Sequence, residues 1–214
     1  MDQNFKNTLD HKYQTKNPNK KNLFVHIGYG KAGSTSLQKK IFSALTNFLN
    51  YKYFGSDYFN SERKKYGNLI TNLTTNMDLG FPVKKINMPN NFLLSSEELS
   101  SYRNPEYFEE FAEKTLMAFG KDAHIIFVIR EPKNWLNSIY LMLCVREKPF
   151  QEPQDFFLTK ENYSERLPNV KFNVDKFNYI NHINFLRDRF NNVTVVKFEA
   201  LNKMQFIKRI FPID

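Results

Sequence analysis

The stretch Leu23-Phe24-Val25-His26-Ile27-Gly28-Tyr29-Gly30-Lys31-Ala32-Gly33-Ser34-Thr35-Ser36 decides the fold of this 214-residue chain. Its first five residues are apolar and β-leaning and end at Gly28, so they predict a buried strand. Leu37, Ile41, Ala44, Leu45 and Phe48 then fall at helical spacing, predicting a helix over 34–49. Between strand and helix lies a tight turn that holds three of the seven glycines of the chain.

The same alternation continues downstream. Tyr51 to Phe54, Phe92 to Ser95, Ile125 to Ile129 and Val193 to Phe198 read as strands. Helices are expected from near Pro105 to Gly120, from Pro132 through Trp135, Ile139 and Leu143, and from a cap at Asp175 through Ile180, Ile183 and Leu186. A short last helix runs through Ile207 and Ile210. Residues 55–91 form a polar, irregular excursion, and residues 148–174 a Pro-containing, charged loop or short helices. Strands alternating with helices predict an α/β fold: one domain over 23–214, with a mostly parallel sheet flanked by helices.

Composition narrows the class. Hydrophobic residues make up 41% and aromatics 16%, which excludes a disordered or collagen-like chain. Apolar runs are far short of the roughly 20 residues that a bilayer span needs, so no transmembrane segment is expected. Residues 1–22 are polar and Lys-rich, read as a flexible leader without a secretory core, and a cytoplasmic location follows as an expectation. The single cysteine, Cys144, sits in a helical apolar pattern and reads as packing. Disulfide scaffolds and Cys-based zinc sites are excluded. Of the net charge of +9, the leader carries +3 and the remainder is scattered, with no Lys/Arg block or finger spacing. It fits an anionic ligand better than a reader of nucleic acid, and no nucleic-acid partner is expected.

In an open α/β sheet, ligands gather at the carboxyl ends of the strands. The first such end is the glycine loop. Its amides can converge, the following helix adds its positive end, and Ser34, Thr35 and Ser36 add hydroxyls, which together predict a phosphate cradle. A nucleotide-kinase loop would read G-x-x-x-x-G-K-[ST]; here Ser34 stands at the lysine position and the cation has moved to Lys31. The second end is Arg130, with Ser138 about two turns into the next helix. Arginine suits a phosphate through its planar fork, although an Arg-Glu-Pro turn can equally be structural.

Together these segments resemble the PAPS-dependent sulfotransferases, enzymes that use 3′-phosphoadenosine 5′-phosphosulfate, and the chain looks like a bacterial-type member. Tyr29 to Gln38 is similar to that family's 5′-phosphosulfate loop, and Ile129 to Ser138 to its 3′-phosphate motif, an arginine after a core strand with a serine eight positions on. Val195-Val196-Lys197-Phe198-Glu199-Ala200-Leu201 is similar to its late strand ending in Glu-x-Leu. The resemblance implies that Lys31, Ala32, Gly33, Ser34, Thr35 and Ser36 hold the phosphosulfate, that Arg130 and Ser138 hold the 3′-phosphate, and that PAP leaves as product. The implied reaction moves a sulfuryl group to an acceptor hydroxyl without a metal, with Lys31 neutralising the leaving oxygen. Members of the family continue beyond the Glu-x-Leu strand, whereas this sequence stops at Asp214, as a compact or a shortened version would. Gly30 also departs from the larger residue that many members carry before the lysine.

The third strand end, Leu93-Leu94-Ser95-Ser96-Glu97-Glu98, supplies the expected base. Glu97 is preferred, with Glu98 and His26 as alternatives; either glutamate could instead serve a helix dipole, and His26 could be a satisfied core histidine. His124 lies at the wrong edge of the sheet, and His11 and His182 read as surface residues. The acceptor is a hydroxyl compound such as a glycan, lipid or small molecule. Two other classes share these features: a P-loop nucleotide kinase, and a non-catalytic polyanion-binding module.

Overall fold

The computed structural model describes residues 22–33, 35, 37–42, 51–55, 70, 91–101, 103–146, 152–159 and 172–201. The leader, most of the 55–91 excursion, the second half of the 34–49 helix, part of 148–174 and the helix through Ile207 and Ile210 lie outside them.

The expected α/β sheet is present. Five parallel strands, β1 (Leu23–His26), β2 (Lys52–Phe54), β3 (Phe92–Ser95), β4 (His124–Ile129) and β7 (Asn192–Lys197), run in the order β2-β3-β1-β4-β7. Two short strands, β5 (Phe157–Leu158) and β6 (Phe172–Asn173), pair separately. The strands β1, β3 and β4 are near-continuous apolar runs because both their faces are covered, whereas the edge strands β2 and β7 are more exposed. The chain departs from β1 to one side for β2 and β3 and returns to the other side for β4. That reversal opens a crevice at the carboxyl end of β1.

Helix α1 (Phe108–Phe119) follows a 3₁₀ turn begun by Pro105 and ends at Gly120. Helix α2 (Pro132–Tyr140) starts where predicted, with Pro132 in its first turn and the Glu131 carboxylate accepting from the amides of Lys133 and Asn134 at 3.1 and 2.7 Å. It continues as a π-helical turn over Leu141–Arg146, which brings both Leu143 and Cys144 into the core. A short α3 spans Pro153–Phe156, and α4 spans Tyr179–Arg189. No helix among the described residues is long and apolar enough to cross a membrane.

Three expectations need correction. The described part of the first helix, Leu37–Phe42, is π-helical, so Leu37 and Phe42, five apart, are both buried and Gln38 is drawn inside with them. Asn178, not Asp175, caps α4, its side chain accepting from the amides of Ile180 and Asn181; Asp175 sits in a preceding 3₁₀ turn. His182 is a core residue rather than a surface one. It stacks on Phe108 of α1 at 3.9 Å and an interplanar angle of 12°, because the face of α4 that carries it packs on α1.

Candidate functional site

The register between β1 and β4 determines what meets at the crevice. Phe24 lies opposite His124 and His26 opposite Ile126, and the ladder runs on past β1, with Ile27 N–H donating to Ile126 and Tyr29 N–H to Val128 at 3.0 and 3.3 Å. The chain turns only after Tyr29, so the glycine loop arrives level with Arg130. There, Arg130 Nη1 donates to the Lys31 carbonyl at 3.2 Å and to Ser138 Oγ at 3.0 Å. Ser138 in turn donates to the Asn134 carbonyl at 2.8 Å. Its single proton is therefore committed, and in this state Ser138 acts by orienting the guanidinium.

The loop itself is built from below. Tyr29 is completely buried and its ring is surrounded by Phe108, Phe127, Trp135, Phe177 and Tyr179. Its hydroxyl shares a hydrogen bond with His182 Nδ1. The Ala32 amide donates to the Tyr29 carbonyl at 3.0 Å, so Ala32, expected among the binding residues, is buried and its N–H closes the turn. Lys31 is exposed and adopts φ 67°, a left-handed conformation that costs an L-residue on the order of 1 kcal/mol. Gly33 follows with φ 87°, and its carbonyl accepts from the Leu37 amide at 3.2 Å. A Cβ on Gly33 would fall 2.2 Å from the Phe198 ring, so both the backbone angle and the neighbour demand glycine. Thr35 is exposed at the start of the following helical segment; Ser34 and Ser36 lie outside the described residues.

Phe198, directly after β7, touches both halves of the site. It covers Gly33 on one side and receives the Arg130 guanidinium over its ring at 5.0 Å on the other. The main chain of Lys31 thus lies against the Arg130 guanidinium at the strand ends, and the exposed Lys31 side chain adds a second cation to this edge of the sheet. Burial above all pushes the Tyr179 phenol upward; Arg130 acts in the opposite direction, and the charges of Glu131 and Glu199 add smaller contributions to the rise.

The third strand end is tied to the first. Ser96 N–H donates to the His26 carbonyl at 3.0 Å, and Ser100 Oγ lies 3.5 Å from the Gly28 carbonyl. Glu97 is partly exposed and precedes the 3₁₀ turn Glu98–Ser100, its carbonyl accepting from the amide and hydroxyl of Ser100 at 3.0 and 2.7 Å. Glu98 is exposed on that turn. His26 is completely buried, its Nδ1 bonded to Ser95 Oγ at 2.7 Å and Ser95 also accepting from Gln38 at 3.0 Å. Burial lowers its pKa to about 3, which makes it a poor proton acceptor at neutral pH. Its Nε2 faces Gly28, where a Cβ would fall 2.6 Å away. His124, at the opposite end of β4, bonds Thr194 Oγ1 at 2.7 Å.

Thus the structure brings Lys31, Gly33, Arg130 and Ser138 together and sets the Glu97 turn against Gly28. Sequence reasoning missed Tyr29, Trp135, Phe198 and Ser100. The signal for Trp135 was available, since a buried indole needs a partner for its N–H. Phe198, by contrast, reads as one more apolar strand residue. A scan against protein-family models matches none of them to this chain, and a search of curated proteins returns no match.

Proposed function

We propose that the chain is a sulfotransferase that moves a sulfuryl group from PAPS to an acceptor hydroxyl. The observation that carries this reading is the contact between Arg130 and the Lys31 carbonyl. In PAPS the 5′-phosphosulfate and the 3′-phosphate sit on different carbons of one ribose, so the groups that hold them must lie at one edge of the sheet within the span of that sugar. A glycine turn with a cation and an arginine from the neighbouring strand meet that requirement. A fixed left-handed turn, a glycine that admits no side chain and an arginine bonded to the main chain of that turn also suit a bound polyanion.

In this reading Lys31 and the loop take the phosphosulfate, while Arg130, oriented by Ser138 and Phe198, takes the 3′-phosphate. PAPS supplies the sulfuryl group. The acceptor oxygen forms a bond to sulfur as the bond from sulfur to the bridging oxygen breaks, and the negative charge that develops there is met by the Lys31 ammonium. The acceptor proton goes to Glu97, with Glu98 the next candidate.

Isothermal calorimetry with 3′-phosphoadenosine 5′-phosphate, alongside ATP with magnesium, tests donor recognition. Transfer of labelled sulfate to hydroxyl acceptors tests the reaction. Binding of the bisphosphate in preference to ATP supports the reading, and preference for ATP with magnesium, or no binding of either, overturns it. Lys31→Ala is expected to abolish transfer with the fold retained, because Lys31 is exposed.

A further inference from the structure

We infer that Trp135, the only tryptophan of the chain, is the positioning residue that holds the glycine loop in its anion-receiving form. Its indole N–H donates to the Gly30 carbonyl at 2.7 Å from a completely buried position on α2. The ring is fixed on its other side by Phe177, stacked at 4.4 Å and 11°, and it also packs against Tyr29.

The consequence follows from peptide geometry. In a planar trans peptide the C=O and the next N–H point in opposite directions. The Gly30 carbonyl is drawn inward to the buried indole, so the Lys31 N–H points away from the core. The same rule applies one residue on: the Lys31 carbonyl faces Arg130, and the Ala32 N–H turns back to the Tyr29 carbonyl. Two consecutive peptide planes are thus fixed by one side chain each, Trp135 and Arg130, and the φ of 67° at Lys31 lies between them. Without the indole donor the Gly30 carbonyl has lost its buried partner, and flipping that peptide would aim a carbonyl oxygen where an anion should sit. Trp135 and Ser138 share α2, so the helix that orients Arg130 also sets the loop.

The functional half of this inference rests on the donor-binding reading above; the structural half does not. Trp135→Phe keeps a ring for Phe177 and removes only the donor. In ligand-free protein, amide hydrogen exchange at Tyr29 and Ala32 is expected to quicken at least about tenfold, while the amides of α1 stay at the wild-type rate. Wild-type exchange at both loop amides overturns the inference, whatever the protein binds. Calorimetry with 3′-phosphoadenosine 5′-phosphate then separates the two readings: a dissociation constant about tenfold weaker in Trp135→Phe is expected, whereas absence of binding in the wild type defeats the donor reading alone. If Trp135→Phe does not fold, Lys31→Pro provides the reciprocal test, since proline cannot hold φ 67°. The single indole N–H resonance should lose its protection from solvent exchange in that variant, and an unchanged resonance overturns the inference.

Discussion

The guanidinium of Arg130 is bonded to the main-chain carbonyl of Lys31, so the end of β4 is tied to the turn that follows β1. A register in which Tyr29 N–H still pairs with Val128 makes this contact possible. Had the loop turned at the end of β1 itself, it would have stopped short of Arg130. The pairing therefore makes the loop and the arginine a single unit, and several outcomes can be measured.

Arg130→Lys keeps a charge but loses the planar guanidinium whose Nη1 donates to both the Lys31 carbonyl and Ser138 Oγ. Binding of 3′-phosphoadenosine 5′-phosphate is expected to weaken by one to two orders of magnitude, with a stability loss of about 1 kcal/mol. Calorimetry and urea unfolding measure the two. Wild-type affinity in this variant would remove Arg130 from the anion site.

Gly33→Ala should destabilise the protein by roughly 2 kcal/mol or more, since the new methyl meets the Phe198 ring and the backbone stands at φ 87°. The clash also pushes Phe198 away from the Arg130 guanidinium. Gly120→Ala is the control: its φ of 82° is also positive, but an added Cβ there meets nothing within 4 Å. Gly33→Ala should therefore lose clearly more stability than Gly120→Ala in denaturant titrations, and equal losses would show that Phe198 does not constrain the loop.

Stability should fall as the pH drops below about 6.5. His26 is held at about 3 and His182 at about 4 by burial, against 6.5 for an exposed imidazole. Between these values the unfolded chain binds the protons and the folded chain does not, so the folded state is favoured as pH rises. The full contribution is present above 6.5 and is lost on acidification toward 4 and 3. Near pH 5 the two residues together give a slope on the order of 2 kcal/mol per pH unit. Equal urea midpoints at pH 7 and pH 5 would contradict this.

Glu97→Gln is expected to lower turnover at least about 100-fold while leaving binding of the bisphosphate unchanged. Full turnover in that variant moves the base to Glu98, and Glu98→Gln would then be the variant that loses activity.

The sheet was legible because its central strands are continuous apolar runs closed by glycine, Ser-Ser-Glu or Arg-Glu-Pro. The residues after those strands were legible for the same reason: topology alone brings Lys31, Glu97 and Arg130 to one edge. What could not be read depends on partners distant in sequence. His182 read as a surface residue on its helix, and only the packing of α4 on α1 buries it against Phe108 and Tyr29. Asn178 and Asp175 are both competent caps, and tertiary position chose between them. The π-helical start after the loop brings Gln38 inward to Ser95, a contact between residues 57 apart. Ala32 carried no local sign that its amide would close the turn.

The place of β1 in the sheet also governs how the molecule comes to exist. Leu23–His26 is flanked by β3 and β4, and Phe24 waits for Leu93 on one side and His124 on the other. Closing such wide chain loops is entropically expensive and makes assembly slow. During synthesis at about 5–20 residues per second, the greasy central segment emerges on the order of ten seconds before its second neighbour is complete. Throughout that interval it is a sticky, unsatisfied edge, so yield on expression should respond to lower temperature and to added chaperones more than to any change at the mature surface.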